Sequence, residues 1–266
     1  MPRDITSFSN ATVKRVRSLA QKKHRILEGL FMAEGLRICA EALEAGHVPR
    51  ILVSRIGDTH ELTLRLEREV EAAGGEALRV PGDILEKITG KANPQAVVGV
   101  FGFLETGLAR LDRSASGIWI VCQSLKDPGN LGTILRTADA VGGGGVILLD
   151  QSCDPFSVEA VRASMGAIFT VPLAQADGQD FFTWLRSGPG MLVGASLNTD
   201  RDYQGVSYAP PTFVFMGNEQ RGLPPDYEAA CDELVKIPMR GKADSLNVAV
   251  SCAVMVYEVL NQQRRR

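Results

Sequence analysis

Three stretches of this sequence gather polar residues that packing alone does not require. The first, SLKDPGNLGTILRTADA, runs from Ser124 to Ala140. Pro128 and Gly129 shape a turn, Asn130 stands where a helix N-cap is expected, and Arg136 follows within an otherwise small and apolar helix. Free backbone N–H groups at such a helix start can receive an anion. The second, TFVFMGNEQRGLPP (Thr212 to Pro225), ends an apolar strand at Gly217, where a ligand could come close to the backbone, and then packs Asn218, Glu219, Gln220 and Arg221 together. In the third, IPMRGKADSLNVAV, a flexible loop leads through Ser245, Leu246 and Asn247 into an apolar helix that Ser245 or Asn247 could cap. Each stretch also has an ordinary reading: a surface Arg136 paired with Asp139 or the nearby loop, a polar turn, a helix cap. Metal or histidine-based chemistry finds little support. The cysteines (Cys39, Cys122, Cys153, Cys231, Cys252) form no close pair, and His24, His47 and His60 are scattered through the first quarter.

These stretches fall where an α/β pattern puts the ends of strands. From IWIVCQ onward, short apolar runs (VILLD, VPLA, MLVGASL, TFVFMG, ELVKIPM) alternate with helical segments. That alternation predicts a mostly parallel sheet covered on both faces, with ligands collecting at strand-end loops. SVEAVRASMGAIF is expected as a helix behind VILLD, and the last helix is expected to start near Asn247. The run Gly142 to Gly145 invites a dinucleotide reading, but it closes a helix and precedes a strand. A phosphate-cradling glycine loop has the opposite order.

The preceding region reads differently. Residues 10–45 have apolar positions recurring every three or four residues and are expected to be helical. ILVS is a strand, THELTLRLEREVEAAGG a polar helix, and VVGVFGFL an apolar alternation, which together suggest a small α/β unit. Periodicity lapses between Thr106 and Gly117. The expected division is therefore residues 1–106, a linker at 107–117, and a second domain at 118–266.

A formal net charge of −2 hides an asymmetry. Residues 1–30 carry Arg3, Lys14, Arg15, Arg17, Lys22, Lys23 and Arg25 against only Asp4 and Glu28, and the chain ends in Arg264, Arg265 and Arg266. Such a segment suits phosphate contacts, although a solvated helix face is the ordinary alternative. No apolar run nears the roughly 20 residues needed to span a bilayer. The first residues lack a secretory signal, and the odd cysteine count fits a reducing cytoplasm.

Taken together, in this order and spacing, the three stretches resemble the motifs of the SpoU/TrmH family of RNA ribose 2′-O-methyltransferases, within the SPOUT superfamily. The resemblance covers roughly residues 118–262. The segment containing NATVKRVRSLAQKKHR and FMAEGLRICAEAL is similar to the ribosomal-protein-like substrate-binding domain of rRNA-directed members. The resemblance implies a parallel sheet with a deep trefoil knot, S-adenosyl-L-methionine as cofactor, no metal, and a homodimer whose active site is completed across the interface. It implies catalytic roles for Arg136, Asn130, Glu219, Ser245 and Asn247, with Asn130 holding Arg136 or the substrate. Leu197, Gly217, Ile237, Met239 and Leu246 are expected to line the cofactor pocket, which the family builds largely from backbone. Lys14, Arg15, Arg17, Lys22, Lys23 and Arg25, and with them Arg162, are expected to contact RNA, most naturally ribosomal RNA.

Arg136 is described for the family as the base. A guanidinium gives up its proton so reluctantly that a forked clamp on a neighbouring phosphate, orienting the ribose, is the easier chemistry. Two further readings stay open: a tRNA-directed or non-catalytic RNA-binding member of the fold, and an α/β enzyme acting on a small nucleotide.

Overall fold

The computed structural model describes residues 2–265, so Arg266 lies outside the described residues. In chain order the elements are β1 (Arg3–Asp4), α1 (Ala11–Ser18), α2 (Lys22–Glu28), β2 (Leu30–Glu34), α3 (Leu36–Glu44), β3 (Ile51–Arg55), α4 (Glu61–Ala72), β4 (Glu76–Val80), α5 (Gly82–Thr89) and β5 (Val97–Gly102). There follow β6 (Ile118–Gln123), α6 (Pro128–Ala140), β7 (Val146–Leu149), α7 (Val158–Ser164) and α8 (Ala167–Thr170). The chain continues with β8 (Leu173–Ala176), α9 (Gly178–Arg186), β9 (Met191–Ala195), β10 (Thr212–Met216), α10 (Pro225–Ala229), β11 (Glu233–Val235) and α11 (Val248–Arg264).

Contacts divide the chain into two compact units. One holds the residues up to Leu104 together with Asp154–Thr170; the other holds Glu105–Cys153 and the chain from Val171 onward. The first unit is built on a five-stranded mixed sheet in the order β1-β4-β3-β5-β2. Val13 and Val16 of α1, Leu19 just after it, and Ile84, Leu85 and Ile88 of α5 cover one face. The helix expected across residues 10–45 is interrupted by β2. Gly29, at φ +61, ends α2, and LFMA then forms four consecutive buried residues that pair antiparallel with β5. A solid apolar run between glycines signals a buried strand, because a helix of this kind would leave one of those positions in water.

SVEAVRASMGAIF was expected as a helix behind the strand VILLD; the segment Asp154–Thr170 that contains it instead belongs with the first unit. Two aromatic anchors account for this. Phe156 sits 5.0 Å from Phe31, and Phe169 sits 4.7 Å from Phe101, ring centre to ring centre. The segment is also two helices rather than one, broken at Met165 and Gly166, both with positive φ.

The second unit is a six-stranded, wholly parallel sheet in the order β11-β9-β10-β6-β7-β8. Trp119, Val121, Phe213 and Phe215 point to one face, where Phe181 and Leu185 of α9 meet them. On the other, α11 returns from the edge strand β11 to pack on α6, β6 and β10, the chain path that the expected knot calls for. The stretch 107–117, expected as the linker, is locally ordered. It forms two short 3-10 turns, and the Arg113 guanidinium lies 4.0 Å from the Trp184 ring while donating to the Leu185 carbonyl at 2.7 Å.

Candidate active site

Strands β6 and β10 are neighbours, so the loops leaving their C-terminal ends meet, and α11 brings the third beside them. The contact among the three is a hydrogen-bonded chain of side chains. The Glu219 carboxylate accepts the backbone N–H groups of Lys126, at 3.0 and 3.1 Å, and of Asp127, at 3.0 Å. Asn130 Nδ2 reaches Glu219 Oε1 at 3.4 Å, and its Oδ1 accepts from Asn247 Nδ2 at 2.9 Å. Asn247 turns its own Oδ1 to the N–H groups of Ala249 and Val250, capping α11. One asparagine therefore both starts a helix and ties the third loop to the first.

This arrangement corrects two expectations about the first loop. The N-cap of α6 is Asp127, whose Oδ1 accepts the Asn130 N–H at 2.8 Å; Asn130 lies inside the first turn. Its side chain is thereby free to bridge Glu219 and Asn247, and it makes no bond to Arg136. The anion that settles at this helix entrance is the protein's own Glu219. Gly217 is also required by packing: a Cβ there would collide with the backbone of Gly222 and Leu223, which folds back on Asn218.

Two cavities flank the chain of side chains. The smaller, about 300 Å³, is lined by Leu197, Gly217, Ile237, Met239 and Leu246, the five residues expected around a cofactor, and also by Ser245 and Glu228. Its apolar members include Leu197 and Leu246, which are 56% and 38% exposed; a flat apolar ligand would remove them from water. The Glu228 carboxylate is oriented by Ser196 Oγ, at 2.5 Å, and by Asn198 Nδ2. The larger cavity, about 1040 Å³, has Lys126, Asn130, Asp150, Glu219, Arg221 and Asn247 among its walls.

Several of these residues were not expected from the sequence. Asn218 donates to the Ser124 carbonyl at 2.9 Å and accepts the N–H groups of Gln220 and Arg221, fixing the second loop against the first. Asp150 accepts from Gln123 Nε2 at 3.0 Å and from the Tyr227 hydroxyl. Burial first and Asp150 second push the Tyr227 phenol up to about 12, so it acts here as a donor. Ser124 and Asp150 both have positive φ (47° and 58°), a conformation that non-glycine residues adopt at some cost and that clusters around functional sites. That strain is invisible to a reading of residue types.

Arg136 and Ser245 stand apart from the hydrogen-bonded chain. Both are exposed, and neither side chain has a hydrogen bond or ion pair among the described residues. Ser245 lines the smaller cavity, whereas Arg136 lines neither of the two.

The expected RNA contacts all fall in the first unit. Lys14, Arg15, Arg17, Lys22, Lys23 and Arg162 are exposed, with Arg15 ion-paired to Glu28. Arg25 is a correction. It is 4% exposed and donates to the carbonyls of Leu19 and Ala20, at 2.8 and 2.9 Å, and to Asp154 at 2.7 Å. Its guanidinium is consumed in closing the α1–α2 turn, so it has nothing left to offer a phosphate. Among the described residues there is no cluster of metal-ligating side chains and no helix long and apolar enough to cross a membrane.

Comparisons with known proteins agree with this geometry. Residues 117–257 match the SpoU rRNA methylase family, and residues 10–99 match the MRM3-like substrate-binding domain. The chain is 29% identical to the 23S rRNA (guanosine(2553)-2′-O)-methyltransferase RlmP of Bacillus subtilis, across 97% of this chain and 99% of that protein. Among solved structures, an AdoMet-bound rRNA methyltransferase from Sinorhizobium meliloti superposes with a TM-score of 0.92 at 38% identity, covering 97% of each chain. The SpoU methyltransferase AviRb from Streptomyces viridochromogenes, in complex with AdoMet, superposes with a TM-score of 0.87 at 28% identity, covering 96% of this chain and 98% of that one. With its three loops joined through Glu219, Asn130 and Asn247, and with a family match across more than half its length, the chain belongs to the SpoU rRNA methylase family.

Proposed function

We propose that this protein transfers a methyl group from S-adenosyl-L-methionine to a ribose 2′-hydroxyl of ribosomal RNA, and that it works in the cytoplasm. The observation that carries the reading is the convergence of Leu197, Gly217, Ile237, Met239 and Leu246 on one cavity beside the joined loops. The relatives named for 23S rRNA 2′-O-methylation, similar across nearly the whole chain, favour ribosomal over transfer RNA.

When bound, the cofactor supplies an electrophilic methyl group on a sulfonium sulfur. The backbone at Gly217, Ile237 and Leu246 would hold it, with Leu197 and Met239 covering its apolar surface. A ribose hydroxyl is a poor nucleophile, so the residues must position it and stabilise the developing alkoxide. Arg136 serves as a forked clamp on a neighbouring phosphate, because a guanidinium keeps its proton. Asn130, Glu219 and Asn247 keep the three loops in register, and Ser245 faces the cavity as a hydroxyl donor. Lys14, Arg15, Arg17, Lys22 and Lys23, with Arg162, supply phosphate contacts.

The working unit is a homodimer. Arg136 is exposed and lines neither cavity, while Val250 and Tyr257, two turns apart on α11, are 49% and 50% exposed. A second copy covering that stripe would receive Arg136 beside its own cavity.

Calorimetry with S-adenosyl-L-methionine, followed by transfer of a labelled methyl group to 23S ribosomal RNA, tests the reading. Saturable binding and label on ribose, absent from free nucleosides, are expected. Folded protein that binds no cofactor would sink it, and label on transfer RNA alone would move the target.

A further inference from the structure

The correction at Arg25 leads to a site in the first unit. Arg25 ties the carbonyls of Leu19 and Ala20 to Asp154, and this fixes the turn between α1 and α2. The turn sets α2 at an angle where His24 faces the same hollow as Lys14 and Arg17 of α1. Across the hollow stands Lys87 of α5, a helix that packs directly on α1 through the shared core of Val13, Val16, Ile84 and Ile88. The hollow measures about 430 Å³, and no carboxylate is among its walls.

The charges in it are uncompensated. Lys14, Arg17 and Lys87 are exposed, and none of them has an ion pair among the described residues. Neighbouring cations behave otherwise: Arg3 pairs with Glu76, Arg15 with Glu28 and Lys91 with Glu34. Lys87 is steadied instead by the Phe8 ring, its Nζ 4.6 Å from the ring centre, which orients the ammonium without neutralising it. Three like charges gathered by two packed helices repel one another, and only an anion relieves that cost. Gln21 and Thr89 add neutral polar groups to the same walls.

We propose that the hollow between α1, α2 and α5 binds the phosphodiester backbone of the RNA substrate, with Lys14, Arg17, His24 and Lys87 as its contacts. The choice of RNA as the anion rests on the functional reading above. Lys87 is the informative residue, since it lies some sixty positions beyond the basic N-terminal run and joins it only through the fold. Contacts of this kind set affinity and register on the RNA rather than sequence.

The test uses the full-length protein, transcribed 23S ribosomal RNA as the probe, and binding measured between about 50 and 200 mM salt. Lys87→Gln is expected to weaken binding several-fold and to lower the slope of log affinity against log salt by about one, and Lys14→Gln/Arg17→Gln/Lys87→Gln by about three. Arg68→Gln, an exposed cation of α4 outside the hollow, should leave the slope unchanged. If the triple variant unfolds, Lys87→Gln decides alone, because that side chain lies at the surface. A wild-type slope in Lys87→Gln, in protein that still binds cofactor and methylates RNA, overturns the hollow and leaves the functional reading standing. Wild-type protein that neither binds nor methylates RNA removes both.

Discussion

The polar loops of the second unit and the basic helices of the first unit hold their functional side chains in opposite ways. In the loops, Glu219, Asn130 and Asn247 satisfy one another and the nearby backbone N–H groups. On the helices, Lys14, Arg17 and Lys87 have no carboxylate partner and stand open to water. A cofactor pocket must be shaped before its ligand arrives, so its polar groups are spent on each other. A phosphate-binding surface needs the reverse, with charges kept free for counterion release. Each region also holds an instructive exception. Arg136 is an unpaired cation beside the locked loops, and Arg25 is a locked cation beside the free ones.

The largest expected effect tests the second exception. Arg25→Ala leaves the half-buried Asp154 without its partner and opens two carbonyls of the α1–α2 turn, and should cost about 3 kcal/mol in a denaturant titration. Its salt slope for RNA binding, measured on the folded fraction, should match the wild type; a shallower slope would return Arg25 to the phosphate surface.

The first exception predicts the opposite pattern. Arg136→Ala should lower methyl transfer by about 100-fold or more, with melting temperature and cofactor affinity unchanged, because no partner inside the chain depends on it. A fall in melting temperature would show that the residue is part of the scaffold.

Effects within the locked loops are smaller and mixed. Glu219→Gln weakens the acceptor for the Lys126 and Asp127 N–H groups and should cost about 1–2 kcal/mol at this exposed position, with weaker cofactor binding by calorimetry. Asn247→Ala removes the α11 cap and the bridge to Asn130, a loss of about 1 kcal/mol. Asn247→Asp keeps the cap and loses the bridge. Stability recovered in Asn247→Asp while activity stays low would separate the two roles.

Much of the second unit was legible in the sequence, because its strands are short solid apolar runs and its loops carry an ordered set of motifs. The five residues assigned to a cofactor pocket do line one cavity. Less legible were the ends of elements. Whether Asp127 or Asn130 caps α6 depends on which side chain the tertiary structure needs elsewhere, and Glu219, far along the chain, decides it. The place of Asp154–Thr170 was hidden for a similar reason: Phe156 and Phe169 can pack on any apolar face, and nothing local says that the face belongs to Phe31 and Phe101. The strand β2, bounded by Gly29 and Gly35, could have been read from its unbroken apolar run.

The sequence by itself determined the class of the fold, the order of the motifs and the family, since apolar periodicity and motif spacing are local properties of the chain. Only the tertiary structure decided which charges are free. Pairing is a matter of distance across the fold: Arg25 meets Asp154, Glu219 meets the backbone of Lys126 and Asp127, and Lys87 comes to face Lys14 and Arg17.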